Sequence, residues 1–316
     1  MMNQRFFEVE VTTMESFAEV VRGIMEDYFG DGYSVTLMDV PKTNGLVLTG
    51  LVIKEDKVNI SPTIYLDGYY EKFVEGASME TLCREIVAVY AKTRKTTDID
   101  MRMLTSFESV KKDICFRFVN AKMNEELLES APHIIWNDLA VIFYVLVSKD
   151  WGGVATILVR DELQEIWGVS EETLYQIALS NTPKHFPATV YSMADILKER
   201  VMQRMGEEAE ILFNMFTYNH SMPKMYVVTN KEATNGAISI LYSDFLKEFT
   251  EEIGRNVYIL PSSIHETILI PAVFGMNANE LKEMVCFVNE TEVTKEERLS
   301  DSVYYYNRNT DRIEMV

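Results

Sequence analysis

The stretch that most constrains the fold is Met225–Pro271, because it holds the clearest alternation of strand and helix patterns in the chain. Gly236–Leu241 is rich in apolar and β-branched residues, which predicts a strand. Apolar residues at spacings of three and four predict a helix over Phe245–Ile253. Val257–Leu260 and Ile264–Ile270 predict two further strands before a closing proline. A chain organised around this stretch mixes helices and strands.

The first hundred residues predict a smaller structure. Apolar residues at helical spacing between Met14 and Tyr28 indicate a helix that faces a core. Three short strand patterns follow, and a second helix begins after Ser78, whose side chain is suited to cap it. The polar run at residues 92–100 marks the boundary. We predict an α+β fold, with an N-terminal helix and small antiparallel sheet over 1–100 and a larger mixed α/β domain over 101–316.

The larger domain shows a weak internal repeat, near residues 139–182 and 225–290. Gly153–Ile166 aligns with Gly236–Phe249 without gaps and matches at Gly, Ile, Leu, Asp, Leu and Glu. Both segments predict a strand that runs into a helix capped by Asp161 or Asp244. Either a duplicated unit or the shared requirements of strand exit and helix capping produces such a match. The chain ends with a predicted hairpin of Val303–Tyr306 and Arg312–Val316.

The charge of the chain is its compositional outlier. There are 49 acidic and 30 basic residues, which gives a net charge of −19. A protein that binds the phosphate backbone needs the opposite field, so we expect no direct binding of nucleic acid. An acidic surface keeps most proteins soluble, and it also allows a mimic of nucleic acid that binds a basic partner.

Three observations bear on the compartment. No run reaches the length of about 20 apolar residues that a membrane helix needs, and the first twelve residues lack the pattern of an export signal. The three cysteines, at positions 83, 115 and 286, are far apart in apolar contexts, which is typical of reduced, packed thiols. We expect a cytoplasmic protein that makes no contact with a membrane.

The only concentrated polar chemistry lies in the segment Ser262–Glu266. Ser263 and His265 share one face of an extended segment, so they are weak candidates for a nucleophile and base, with Glu266 beside them. The alternative is a turn that holds a hydrogen-bonded histidine. His265-Glu266 also begins like a zinc-binding HExxH helix, but Leu269 stands where the second histidine belongs. There is no GxSxG elbow, glycine-rich phosphate loop or CxxC pair, so we expect no cofactor and no metal.

Three segments carry a resemblance to a known family: SPTIYLDGYYEKF at Ser61–Phe73, the run from Asn235 to Pro271 that includes ILPSSIHE, and LSDSVYYYNRNTDRIEMV at Leu299–Val316. The chain resembles a family of uncharacterised bacterial proteins from gut anaerobes, over almost its whole length. The resemblance implies a cytoplasmic bacterial protein with no assigned activity, cofactor or catalytic residue.

The sequence therefore favours a soluble binding or interaction protein without catalysis, with an unidentified protein as a possible partner. Two alternatives stay open: a hydrolase-like enzyme that uses Ser263 and His265, and an acidic inhibitor that imitates nucleic acid.

Overall fold

The computed structural model describes residues 11–56, 61–93, 101–150, 153–205, 224–273 and 275–316. Its contacts divide the chain into two compact units, Met1–Arg102 (unit 1) and Met103–Val316 (unit 2), which are described separately. Each unit combines helices with antiparallel sheet, so the predicted α+β class is confirmed. No helix within the described ranges is long and apolar enough to cross a membrane.

The described residues of unit 1 form a three-stranded sheet, the helices α1–α3, a short 3-10 helix at Thr43–Gly45 and the start of a further helix at Met101–Leu104. The sheet has the order β1-β2-β3, with both pairings antiparallel. Helix α1 begins at a capping box in which the Thr13 hydroxyl accepts a hydrogen bond from the Ser16 N–H at 3.2 Å. Ser78 caps α3 as predicted, through a 3.2 Å bond from the Thr81 N–H. The elements are α1 (Met14–Phe29), β1 (Tyr33–Pro41), β2 (Val47–Glu55), β3 (Thr63–Tyr65), α2 (Asp67–Val74) and α3 (Met79–Thr93).

The first half of unit 2 is built around the long strand β6. Its residues from Leu139 to Leu146 are all buried, so this strand is covered on both faces. Strand β4 pairs with one edge of β6, while β5 and β7 pair with successive parts of the other edge. The strands are β4 (Ile114–Asn120), β5 (His133–Trp136), β6 (Leu139–Asp150) and β7 (Gly153–Leu158).

The second half of unit 2 is a six-stranded antiparallel sheet with the order β13-β12-β10-β11-β9-β8. The predicted terminal hairpin is present as β12 and β13, and β13 forms one edge. The sequence patterns missed β5, β8 and β9, which are all five residues or shorter. The strands are β8 (Ala188–Ser192), β9 (Tyr226–Asn230), β10 (Val257–Leu260), β11 (Thr267–Pro271), β12 (Tyr304–Asn307) and β13 (Arg312–Met315).

One hydrophobic core includes residues from both sheets of unit 2. Phe116 from β4 and Tyr304 from β12 belong to it, together with side chains from the helices between the sheets. Tyr175 stacks on Phe116 with ring centroids 5.8 Å apart. The helices are α4 (Met101–Leu104, which begins in unit 1), α5 (Phe107–Val110), α6 (Glu125–Leu128), α7 (Asp161–Trp167), α8 (Glu171–His185), α9 (Met193–Met205), α10 (Phe245–Ile253) and α11 (Ala278–Thr291).

The structure corrects the strand predicted at Gly236–Leu241, which is a buried 3-10 helix. Gly236 packs directly against the backbone of β9, which already has β8 and β11 on its two sides, so this segment has no strand to pair with. The aligned segment at Gly153–Leu158 is a strand, so the two copies of the alignment differ in backbone conformation. They also differ in burial, because residues 153–158 are exposed or half-buried while residues 236–240 are buried.

The predicted caps at Asp161 and Asp244 are also wrong. Asp161 is the first residue of α7, and the cap position before it is occupied by Arg160. No side chain at the cap position of α7 or of α10 makes a capping hydrogen bond. Asp244 does occupy the cap position of α10, but its φ of 61° is left-handed and turns the backbone, where a capping side chain needs extended backbone. At α11, the Asn277 side chain does cap the helix, because it accepts a hydrogen bond from the Asn279 N–H at 3.0 Å.

Candidate functional site

The Ser262–Glu266 segment joins β10 to β11 in the six-stranded sheet. Its backbone runs beside the chain that leads into β12. The Leu299 N–H donates to the Ser262 carbonyl at 3.0 Å, and the Ile264 N–H donates to the Glu297 carbonyl at 2.9 Å. Ser263 forms an isolated bridge with Arg298. This connection is therefore held on one side by paired backbone.

His265 supports the turn at Asn235 and Gly236. Its carbonyl accepts hydrogen bonds from the Gly236 N–H at 3.0 Å and from the Thr229 hydroxyl at 2.8 Å. Its ring Nδ1 accepts the Asn235 N–H at 3.3 Å, and Asn235 has a left-handed φ of 52°. Because Nδ1 must then carry a lone pair, the ring proton is on Nε2, 3.3 Å from a Glu297 carboxylate oxygen.

The neighbours of His265 have separate contacts. The Ser263 hydroxyl accepts a 3.1 Å bond from the backbone N–H of His265, and the His265 ring bonds Asn235 and Glu297. Ser262 is buried, while Glu266 is exposed. The structure thus brings Ser263 and His265 together through backbone, and it adds Glu297, a residue that the sequence patterns did not single out.

Among the other histidines and cysteines that the structure describes, two histidines bond backbone carbonyls and two cysteines are buried. His133 bonds the Ala131 carbonyl at 2.9 Å, and His185 bonds the Lys112 carbonyl at 3.0 Å. Cys83 and Cys115 are buried, and burial raises the pKa of the Cys83 thiol to about 11 and that of Cys115 to about 12. These two thiols are protonated at neutral pH and react slowly.

Metal coordination has no candidate within the described ranges. No group of three or more His, Cys, Asp or Glu side chains there is arranged to hold an ion. His265 and Glu297 together offer two ligands, which is fewer than the three or four that a zinc site takes from the protein.

Asp138 is the centre of a polar cluster that the sequence did not reveal. Its carboxylate accepts hydrogen bonds from Ser300 at 2.7 Å, from Ser302 at 2.9 Å and from the buried Tyr304 hydroxyl. Burial and then the bond to Asp138 raise the pKa of Tyr304, which keeps this phenol protonated. The cluster connects the turn between β5 and β6 with β12, so its role is to join the two sheets. The spacing Ser300-x-Ser302-x-Tyr304 is the signal that was present in the sequence.

Arg117 is a second buried polar group that the sequence did not reveal. It lies on β4 with its guanidinium 5.8 Å from the Tyr144 ring centroid. Its buried Nε has no hydrogen-bond partner in the part of the chain that the structure describes. Burial lowers the pKa of Arg117, which remains charged because guanidinium titrates far above neutral pH.

A cleft of about 380 Å³ lies in unit 2, where β5, the 3-10 helix, α10 and the β12–β13 hairpin meet. Its apolar lining includes Trp136 and Tyr306, and the Trp136 ring centroid is 5.0 Å from that of Tyr304. Exposed charged residues complete it, and they are Asp244, Lys247, Asp311 and Arg312. The accessible surface of this cleft is therefore mixed, with charged groups contributing more of it than the buried apolar side chains behind them.

Tyr306 and Asp311 hold one side of the cleft in place. The Tyr306 hydroxyl donates to an Asp311 carboxylate oxygen at 2.6 Å, and Asp311 has a left-handed φ of 52° in the turn of the hairpin. Burial and this hydrogen bond raise the pKa of Tyr306 to about 12. Because Tyr306 is almost fully buried, the carboxylate that it anchors has a defined position.

Comparisons with known proteins place the chain in a family without giving it an activity. No curated protein matches it. No solved structure matches it either. A family model matches residues 14–308, which covers nearly all of both units. The chain therefore belongs to DUF5688, a family of unknown function.

Proposed function

We propose that this protein is a binding protein, that its ligand site is the cleft of unit 2, and that the Ser262–Glu266 segment performs no chemistry. The observation that carries the proposal is the combination, in one cleft, of a packed wall of aromatic and aliphatic side chains with cations that have no partner in the described ranges. Lys247 and Arg312 make neither a side-chain hydrogen bond nor an ion pair with any residue in the described ranges. In a chain with 19 more acidic than basic residues, two unpaired cations at one cleft are suited to a ligand.

The contacts of His265 support the part of the proposal that concerns chemistry. A general base needs a free ring nitrogen that faces the nucleophile. Here Nδ1 accepts the Asn235 N–H and Nε2 faces Glu297, while the Ser263 hydroxyl accepts a backbone N–H. These hydrogen bonds stabilise the turn at Asn235 and the Ser262–Glu266 connection, and breaking them would destabilise both.

The hydrolase alternative remains open to a direct test. Wild-type protein and Ser263→Ala are treated with a fluorophosphonate probe that labels activated serines, and adducts are located by mass spectrometry. We expect no adduct at Ser263 in either native sample. An adduct at Ser263 in the wild type, lost in Ser263→Ala and in His265→Gln, would replace our proposal with a hydrolase.

Ligand binding at the cleft is tested with fluorine NMR. The chain contains three tryptophans, at positions 136, 151 and 167, and each fluorotryptophan signal is assigned from its Trp→Phe variant. Of the two tryptophans that the structure describes, Trp136 lines the cleft and Trp167 does not. A screen of small polar molecules is expected to yield ligands that shift the Trp136 signal in a saturable way and leave that of Trp167 unchanged. Equal shifts of both signals, or none from the whole screen, would exclude the cleft as a ligand site.

A second candidate function is the docking of a basic protein segment on α11. Phe287 is 65% exposed and lies on the side of the helix away from the buried Leu281 and Val285, and Met284, which is 40% exposed, is its neighbour three residues earlier. Three exposed glutamates surround this apolar pair, and they are Glu280, Glu283 and Glu290. An apolar anchor inside an acidic ring complements a basic amphipathic helix, whereas a second copy of this acidic chain is repelled.

The docking candidate predicts that a synthetic basic amphipathic helix binds the protein and that the affinity falls with added salt. Phe287→Ala is expected to weaken binding by roughly tenfold or more, because a central apolar anchor dominates such interfaces. Val89→Ala on α3 is the matched control, since this side chain is also exposed on a helix. Unchanged binding in both variants would show that general charge attraction accounts for it, as in an acidic mimic of nucleic acid, and equal weakening by both would show that Phe287 is not a specific anchor.

We also propose a bacterial, cytoplasmic setting, including the origin in gut anaerobes implied by the sequence resemblance. Two buried thiols with raised pKa and no disulfide partner in the described ranges support a reducing compartment. The acidic charge supports the expectation that nucleic acid is not bound directly.

A further inference from the structure

The cleft of unit 2 has an apolar lining that is packed before any ligand arrives. Ile240, Leu246 and Tyr306 are almost completely buried. The Trp136 ring lies between two aromatic neighbours, with centroid distances of 5.3 Å to Phe118 and 5.0 Å to Tyr304. The half-buried Trp136 ring offers a limited apolar surface to the flat part of a ligand, and the packing behind it means that little rearrangement opposes binding.

No structural role explains the positions of the two cations in the lining, Lys247 and Arg312. Lys247 lies in the first turn of α10, at the third helical position, where the helix dipole favours an acidic residue. Arg312 begins the edge strand β13. Neither side chain has an ion-pair partner in the described ranges, so both are free to meet an anionic group such as a carboxylate.

The anionic part of the lining is present in the same cleft. One oxygen of Asp311 is held by the Tyr306 hydroxyl, which leaves the other oxygen to accept a further hydrogen bond. Asp244 adds a second exposed carboxylate, and its side chain makes no capping bond. Two cations and two anions around an apolar floor complement a ligand that carries both signs of charge.

The size of the cleft limits the ligand further. About 380 Å³ lies near the lower end of the range of roughly 300–1,000 Å³ that is usual for small-molecule sites. A large nucleotide cofactor exceeds this space, whereas an amino acid or a dipeptide fits it. We propose that the cleft binds a small zwitterion: an α-amino acid with an apolar or aromatic side chain, either free or in a dipeptide. This inference rests on the proposed function of the cleft as a ligand site.

The test compares ligands that differ in a single charge. L-phenylalanine and the dipeptide Leu-Phe carry both charges, 3-phenylpropionate carries only the carboxylate, and phenethylamine carries only the ammonium group. Binding to the full chain is followed through the Trp136 fluorine signal. We expect at least one zwitterion to bind tenfold or more tightly than both singly charged analogues, and the order of affinity between L-phenylalanine and Leu-Phe separates the free amino acid from the dipeptide.

Variants assign the two charges. Lys247→Met and Arg312→Gln are expected to remove the advantage of the zwitterion over phenethylamine, and Asp244→Asn its advantage over 3-phenylpropionate. Lys282→Met on α11 is the matched control, because Lys282 is also an exposed helical lysine that lies outside the cleft, and it should change nothing. Asp311 is left intact because it anchors Tyr306.

The outcomes separate this inference from the proposed function. If one singly charged analogue binds as tightly as the zwitterions, or if other ligands shift the Trp136 signal while the zwitterions do not, the cleft is a ligand site and the ligand class is wrong. If no molecule shifts the Trp136 signal, both the ligand class and the proposed function fail.

Discussion

Replacing Gly236 with alanine tests how closely the 3-10 helix of unit 2 approaches β9. An added Cβ lies 2.6 Å from the His265 carbonyl oxygen, 2.8 Å from the Thr229 Cα and 2.5 Å from the Thr229 hydroxyl. Two of these atoms are backbone, so a rotamer change cannot relieve the contacts. The segment must move away from β9, and the movement stretches the hydrogen bonds that the His265 carbonyl accepts from the Gly236 N–H and the Thr229 hydroxyl.

The magnitude follows from these two effects. Overpacking a well-packed core costs about 1–3 kcal/mol. Each weakened hydrogen bond adds up to about 1 kcal/mol. We therefore expect Gly236→Ala to lower the free energy of unfolding by about 3 kcal/mol. For a unit of this size that corresponds to a fall in Tm of roughly 6–12 °C.

The assay is urea and thermal unfolding of the full chain, with hydrogen exchange used to assign the loss to unit 2. Gly254→Ala is the control in the same unit, because its added Cβ meets nothing within 4 Å while its φ of 71° costs about 1–2 kcal/mol. Gly68→Ala, in helix α2 of unit 1, also has open space and no positive φ, so it should not destabilise and should add about 0.5–1 kcal/mol to the free energy of unfolding. A loss for Gly236→Ala smaller than that for Gly254→Ala refutes the close approach.

Three further predictions concern the buried polar groups. Asp138→Asn should lower the free energy of unfolding, measured in urea titrations, by about 2–4 kcal/mol, because an amide keeps only one accepting oxygen for three hydroxyl donors. A loss smaller than that of Ser302→Ala would contradict the role of Asp138 as the shared acceptor. At pH 8 a thiol reagent should modify Cys286 and spare Cys83 and Cys115 until the protein is unfolded, and rapid native reaction of either spared thiol would refute the burial shown here. The pKa of Tyr306 in the folded protein is raised to about 12, above the value near 10 in the unfolded chain. The stability that this adds is complete below about pH 10 and is lost as the pH rises toward 12. Tyr306→Phe should therefore make the fall in the free energy of unfolding over this range less steep, and an unchanged slope would count against the bond to Asp311.

The apolar pattern within a single segment was sufficient to predict several helices and strands. Helix α1 has apolar residues at helical spacing, and the terminal hairpin has strand-forming residues on both sides of a polar turn; both elements are present. Short strands such as β5 and β8 were missed because four or five residues do not show a period. The segment Gly236–Leu241 was mispredicted because its apolar residues are buried in a 3-10 helix, and burial on all sides looks the same in sequence as a buried strand.

The candidate sites were less accessible from the sequence. Ser263 and His265 were identified as neighbours, but their partners Asn235 and Glu297 come from distant parts of the chain. The cleft combines residues from position 136 to position 313, and no short motif connects them. Unpaired charges such as Lys247 could have been noticed from the unfavourable position in a helix, although only the structure shows what they face.

The order of strands in the six-stranded sheet has a consequence for synthesis on the ribosome. Strand β12 lies between β10 and β13, and Tyr304 is completely buried in the shared core. Until residue 304 has left the exit tunnel, β10 has an open edge and Asp138 lacks its phenol donor. Unit 2 therefore completes its core only after release of its last strands, and a nascent chain that stalls before them exposes a sheet edge on which chaperones can act.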